Sequence, residues 1–464
     1  MSEVSSEARL ADYRQRFEEL AGAQGLDYYP IDFELVPDTF MMEVAIYGLP
    51  VRMPHWSFGV RYIYQHVQHR MGYSRIFEVI FPGNPNRAYL QSRNTLAENT
   101  LVTAHVLGHA DFSKHNQLFA RMQSEVGYRI VEQAADRAHR IEDAIREHGA
   151  ARVEAVLDAA LALEQCIDVT RPVNRPDYPQ WEAPADHAEP RDPGFAERYQ
   201  ELPGEAAPPA PDEQVRRADI PPAPEPDLLW FIARYAPELE DWERDIFLAV
   251  REESYYFYPL FACQIMNEGW ASYWHARLLR EADFLPTQVY VDAIKAHSDV
   301  VRPYAGEGAV ALSINPYHLG FCIWERIIEQ QGLEAAWRIR AEEDDFSFVR
   351  NYLDETLAAD LGLFAYTRRG KSRSLRYEVR DAELDELREL MLAPKFNYGA
   401  PRVRASALRR DGSLDLEHDA ETDGRGLDLE RADRVLEYLQ RAWRRPVRLT
   451  TVDHDGDRFE LEAI

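Results

Sequence analysis

The sequence predicts a predominantly helical α+β protein, with a large helical core built from two blocks and a small C-terminal ββαββ unit. Three observations carry this prediction. Apolar residues recur at helical spacing over residues 6–24, around residues 98–112, over 120–165, and again from Asp227 to about Leu392. Between Pro172 and Pro226 lie fourteen of the 28 prolines, mixed with acids and alanines, as expected of a linker or a loop over the surface. From Arg402 onward the pattern turns to strand-like alternation. The segments are therefore 1–170, 171–226, 227–398 and 399–464.

In chain order, residues 6–24 form an amphipathic helix with Leu10, Tyr13, Phe17 and Leu20 on one side. Leu26–Val36 is extended. A helix starts near Gly59, since Val60, Ile63, Tyr64 and Val67 repeat at helical spacing. Arg75–Phe81 is a strand, and Pro82-Gly-Asn-Pro-Asn86 is its turn. The stretch from Glu98 to Phe112 contains no proline and has no polar face, so it is a buried helix. At 100° per residue, His105 and His109 each fall roughly 20° from the line of Glu98, on opposite sides. In the tail, Arg402–Arg409, Ser413–Glu417, Val447–Val452 and Phe459–Ala463 alternate as strands around a helix at Leu429–Trp443. Asp411-Gly and Asp455-Gly supply the hairpin turns. No internal repeat of solenoid period is present.

Composition narrows the function. The chain of 464 residues is 45% hydrophobic and 11% aromatic, which describes a folded protein. A net charge of −27 opposes binding to nucleic acid through its phosphates and docking on an anionic membrane. Cys166, Cys263 and Cys322 are far apart and none belongs to a CxxC, so neither a disulfide framework nor a zinc ribbon is expected. No basic-then-apolar leader opens the sequence, and no run of about 18 apolar residues spans a membrane. A cytoplasmic protein is expected.

A buried helix that aligns a carboxylate with two imidazoles must satisfy them, and a bound metal does so economically. Histidines one turn apart reach one ion, as in HExxH, although Val106 stands where that motif has its glutamate. Two further segments pair glutamate and histidine two turns apart. One is Met266-Asn-Glu268-Gly-Trp-Ala-Ser-Tyr273-Trp-His275; the other is Asn315-Pro-Tyr-His318, followed by Glu325. Three such pairs on apolar helices point to His105, His109 and Glu268 as ligands of a divalent metal, zinc or iron. Glu98 then orients a ligand, acts as general base or binds a second ion, while His275, Tyr273 and His318 polarise the substrate or stabilise an oxyanion. The plainer alternative is a core of hydrogen-bonded Glu–His pairs, with Glu325 on a solvated face. Lys114 and His115 read as surface residues, and His55 and Trp56 as aromatic packing.

Pro54-His-Trp-Ser-Phe-Gly59, Ala104-His-Val-Leu-Gly-His109, Met266–His275 and Asn315-Pro-Tyr-His-Leu-Gly320 occur in an order that resembles the SpoVR family, named for stage V sporulation protein R. The resemblance runs from about residue 10 into the C-terminal unit. It implies an association with formation of the spore cortex, or a stress- or envelope-related role. It also implies a PrkA-type serine kinase and a YeaH-type protein as partners. It implies no established reaction.

Two principal functions follow. The first is a metal-dependent hydrolase of peptide or amide bonds. The second is a cytoplasmic scaffold or regulator that works with a kinase, its His/Glu sites being structural. A di-iron oxidative site is a third, and it needs more converging carboxylates than the sequence places.

Overall fold

A computed structural model describes residues 3–58, 78–170, 219–302, 315–363, 365–369, 376–380 and 382–464. The helix expected from Gly59, and the proline-rich stretch as far as residue 218, lie outside these. Among the described residues the chain is α+β and predominantly helical, as expected. It divides into two compact units, residues 1–150 with 252–399 and residues 151–251 with 400–464. No described helix is long and apolar enough to cross a membrane.

The elements begin with α1 (Glu3–Ala23), β1 (Ile31–Val36), α2 (Asp38–Tyr47), β2 (Glu78–Phe81), β3 (Asn86–Gln91), α3 (Leu96–His115), α4 (Gln117–Val126) and α5 (Ile130–His148). Next come α6 (Ala150–Ala162), α7 (Leu228–Tyr235) and α8 (Asp241–Ala262). They are followed by α9 (Gln264–Glu281), α10 (Thr287–Val300), α11 (Pro316–Gln331), α12 (Leu333–Glu342), α13 (Asp345–Tyr352) and α14 (Glu355–Asp360). A hairpin of β4 (Ala365–Arg369) and β5 (Arg376–Arg380) precedes α15 (Leu384–Leu392). This hairpin interrupts the block read as helical to Leu392; Tyr366, Thr367, Tyr377 and Val379 are strand formers flanking a short polar run.

In the first unit α3 is the central element. Thr95 and Glu98 form a reciprocal capping box at its start. Asn116 ends it and caps α4, accepting from the Leu118 and Phe119 amides. Val102 and Val106 pack with Ala88 and Leu90 of β3, in a sheet of order β1-β3-β2. On the other side Leu101, Ala104, Leu107 and Phe112 join the main core with Trp270, Trp274 and Trp324. Packing on both sides explains why the sequence of α3 has no polar face.

Glycines let the helices approach closely. A Cβ on Gly108 of α3 would come within 2.7 Å of the Ala271 Cα of α9. A Cβ on Gly269 would come within 2.2 Å of the Gly320 carbonyl carbon of α11. So α9 is held against α3 on one side and α11 on the other. Asp345 fixes the start of α9, its carboxylate accepting from the Ile265 and Met266 amides at 2.9 Å each. Asn315 caps α11 and donates to the Val300 and Arg302 carbonyls, both at 2.9 Å, which ties the start of α11 to the end of α10.

The second unit contains the ββαββ tail, close to the sequence reading. Strands β6 (Val403–Leu408), β7 (Leu414–His418), β8 (Val447–Val452) and β9 (Arg458–Ala463) lie in that order in one sheet. The outer pairs are antiparallel hairpins and β7–β8 is parallel, crossed by α17 (Leu429–Trp443) after the short α16 (Ala420–Asp423). Gly412 and Gly456 take positive φ of 82° and 89° at the two Asp-Gly turns.

Candidate metal centre

His105 and His109 lie one turn apart on α3, with their Nε2 atoms 2.9 Å from each other. From α9, Glu268 places Oε2 3.3 Å from His109 Nε2 and 3.6 Å from His105 Nε2. That oxygen is buried and makes no hydrogen bond. At the start of β2, Glu78 brings a second carboxylate, its Oε1 3.8 Å from His105 Nε2. Tyr317, in the first turn of α11, stacks over the His105 ring with centroids 6.0 Å apart.

The other imidazole nitrogens are occupied in turn. His109 Nδ1 lies 2.8 Å from Asn267 Oδ1. His105 Nδ1 lies 2.9 Å from His275 Nδ1, and His275 Nε2 lies 2.6 Å from His297 Nδ1 on α10. A cavity of about 50 Å³ adjoins the cluster; Glu78, His105, His275 and Tyr317 line it, and Leu101, Val102, Ala296 and Val300 supply apolar wall.

Burial and charge push the two carboxylates apart. Burial alone would raise Glu268, but the imidazoles of His109 and His105 outweigh it and hold the group ionised, well below the usual carboxylate range. Burial dominates at Glu78 and raises it, offset in part by His105 and reinforced by the like charge of Glu268. Burial alone would lower His109, but Glu268, Asn267 and Glu78 together outweigh it and raise the group. Burial and the neighbouring carboxylates raise Tyr317 well above 10, so its hydroxyl stays a neutral donor. Burial, then the neighbouring histidines, keep His275 far below its ordinary value.

The donor set fits a metal. Zinc with ligand bonds of about 2.0–2.1 Å in tetrahedral geometry sets its ligand atoms roughly 3.3 Å apart. The three contacts, at 2.9, 3.3 and 3.6 Å, scatter around that value. Among the described residues, His105, His109 and Glu268 are the group of three metal-ligating side chains close enough to share one ion. The orphaned Glu268 oxygen is the atom that an ion would satisfy.

Of the residues singled out in the sequence, His105, His109, Glu268 and His275 are brought together. Glu98 is not. Its carboxylate accepts from the Thr95 amide at 2.7 Å as part of the capping box. Tyr273 lies outside the cluster as well, lining a separate cleft with Arg277, Arg280 and Glu325. His318 sits 3.9 Å from Cys322 Sγ, one turn along α11. In its place the neighbouring Tyr317 reaches the site. Glu78, Tyr317 and His297 were not picked out from the sequence. A lone glutamate in the apolar run Phe77-Glu-Val-Ile-Phe81 was the available signal for the first.

Residues 5–399 match the family described as SpoVR like protein, and residues 402–454 match the SpoVR-like C-terminal domain. The chain belongs to the SpoVR family. It is similar to a protein of Escherichia coli (strain K12) described as uncharacterized protein YcgB, 27% identical over 504 residues that cover 97% of this chain and 93% of that one. No solved structure matches.

Proposed function

We propose that His105, His109 and Glu268 hold a divalent metal, zinc or iron, and that the protein is a metal-dependent hydrolase of peptide or amide bonds. The observation that carries this reading is the buried Glu268 oxygen, without a hydrogen bond and facing two imidazole nitrogens. Two imidazoles and a carboxylate suit either metal. The ion would supply Lewis acidity to the scissile carbonyl and to water.

The remaining chemistry belongs to the chain. Glu78 stands in for the glutamate that Val106 denies to α3. Its raised affinity for a proton suits a group that takes one from attacking water and returns it to the leaving amine. Tyr317, a neutral donor beside the cluster, hydrogen-bonds to the oxyanion as it develops. The apolar wall of Leu101, Val102, Ala296 and Val300 admits a small aliphatic group next to the scissile bond. The same proposal takes the protein to be cytoplasmic and, on family resemblance alone, to work beside a PrkA-type kinase and a YeaH-type protein.

The test is cleavage of a mixed peptide-amide pool by zinc- and iron-loaded protein, with Glu78→Gln alongside. The variant should bind metal as wild type does and cleave about 100-fold or more slowly. Equal rates would remove Glu78 from the mechanism. Loaded wild type that cleaves nothing in the pool would overturn the hydrolase reading.

A further inference from the structure

The four histidines in contact have a property that the cluster alone does not show. Each contact between two ring nitrogens needs one proton, and each neutral imidazole has one to give. The chain His105–His275–His297 can therefore be ordered in only two ways.

In the first, His297 Nδ1 donates to His275 Nε2, and His275 Nδ1 donates to His105 Nδ1. The His105 proton then sits on Nε2 and points at His109 Nε2. In the second, every donor is reversed. His105 donates from Nδ1 to His275, His275 donates from Nε2 to His297 Nδ1, and His297 keeps its proton on Nε2. Both arrangements hold the same number of protons. Passing from first to second, one proton leaves His105 Nε2, one is taken up at His297 Nε2, and those between shift by one contact.

Only the second arrangement leaves a lone pair on His105 Nε2. We infer that His275 and His297 are positioning residues that decide which nitrogen of His105 carries its proton, and so whether Nε2 is free to take a metal. The inference rests on the metal reading for its consequence, but the ordering of protons stands on the contacts themselves, at 2.9 and 2.6 Å. His275 is buried, with Nδ1 on His105 and Nε2 on His297, so it can pass the order along. His297 is only partly buried and packs edge-on to Phe321. The control point is therefore two residues removed from the ligand, on another helix.

Substitutions at His297 separate the two orders. Aspartate places an acceptor where Nδ1 stood and cannot donate, which enforces the second arrangement. Leucine removes the acceptor, so a proton on His275 Nε2 would have no partner and the first arrangement is favoured. The experiment is ¹⁵N-histidine NMR at pH 8 on the full chain, with zinc titrated into wild type, His297→Asp and His297→Leu.

His275 should be protonated on Nε2 in the aspartate variant and on Nδ1 in the leucine variant. Zinc affinity should stay within about threefold of wild type for aspartate and fall about 10- to 100-fold for leucine. If the leucine variant melts early, His297→Lys, which can only donate, should give the same His275 tautomer as leucine. The same tautomer in the aspartate and donor-or-leucine variants would overturn the inference, as would equal zinc affinities. Tautomers that switch while wild type itself binds no zinc would support the proton ordering and refute the metal reading.

Discussion

Gly269 of α9 and Gly320 of α11 meet backbone to backbone, with no room for a side chain on either. A Cβ on Gly320 would lie 2.0 Å from the Ile265 carbonyl oxygen, and one on Gly269 would lie 2.2 Å from the Gly320 carbonyl carbon. Glu268 adjoins one glycine and Tyr317 lies one turn before the other, so this crossing sets the distance between them.

Gly269→Ala and Gly320→Ala should therefore be strongly destabilising. The clashing atoms are backbone, which cannot move as a flexible side chain would, so the cost is at least the usual 1–3 kcal/mol, roughly, of overpacking. Thermal melting should show a drop of at least about 2 °C in each variant. Melting within a degree of wild type would mean that the helices part easily.

Arg340→Met tests the support beneath the site. Asp111 of α3 is fully buried and accepts from the Trp270 indole and the Asp27 amide, each at 3.0 Å, and from the Arg340 guanidinium. Removing the guanidinium strands a buried carboxylate, at a cost of about 3–5 kcal/mol. Urea unfolding should show that loss, and Arg340→Met with Asp111→Asn should recover part of it.

Metal affinity should depend on pH through His109. Against its burial, Glu268, Asn267 and Glu78 together raise this imidazole above 6.5, whereas Glu268 itself is already ionised. A metal must displace the His109 proton, so affinity should climb through pH 6.5 and flatten only above the raised value. In metal-free protein the sign is opposite. The raised His109 contributes stability that is fully present below pH 6.5 and is lost as pH rises through its folded value. Zinc titrations between pH 5.5 and 8.5, roughly, with melting curves at the same pH values, measure both trends. A flat affinity profile would contradict the pairing.

The three cysteines should be slow to react. Burial, reinforced by nearby carboxylates, pushes Cys322 up to about 11 and Cys166 up to about 12, and lifts Cys263 well above its ordinary value. At pH 8 no more than about a thousandth of each is thiolate. Iodoacetamide should label them slowly in the native protein and fully in urea, as peptide mass spectrometry would show.

The ββαββ tail was legible because its signals are local: alternation within each strand and an Asp-Gly turn in each hairpin. Helix α3 and its two histidines were legible for the same reason, since one turn of helix fixes their spacing. Glu98 shows where that reasoning ends. It shares the angular stripe of His105, but seven residues of helix rise carry it about 10 Å along the axis, to the terminus, where free amides claim its carboxylate. Glu78, Tyr317 and His297 come from a strand and two other helices, and only tertiary packing brings them together. His318 and Tyr317 share the first turn of α11, and local spacing alone does not say which of them faces the cluster. Asn315 fixes the first turn of α11 so that the phenol, one residue earlier, faces the site.

Metal stoichiometry decides whether the His105, His109 and Glu268 cluster binds an ion. Elemental mass spectrometry on untagged wild type, His109→Ala and Glu268→Ala, all folded by circular dichroism, should find about one equivalent of zinc or iron in wild type and almost none in either variant. Wild type that remains metal-free after anaerobic purification and reloading would contradict the account and leave the histidines as a hydrogen-bonded core.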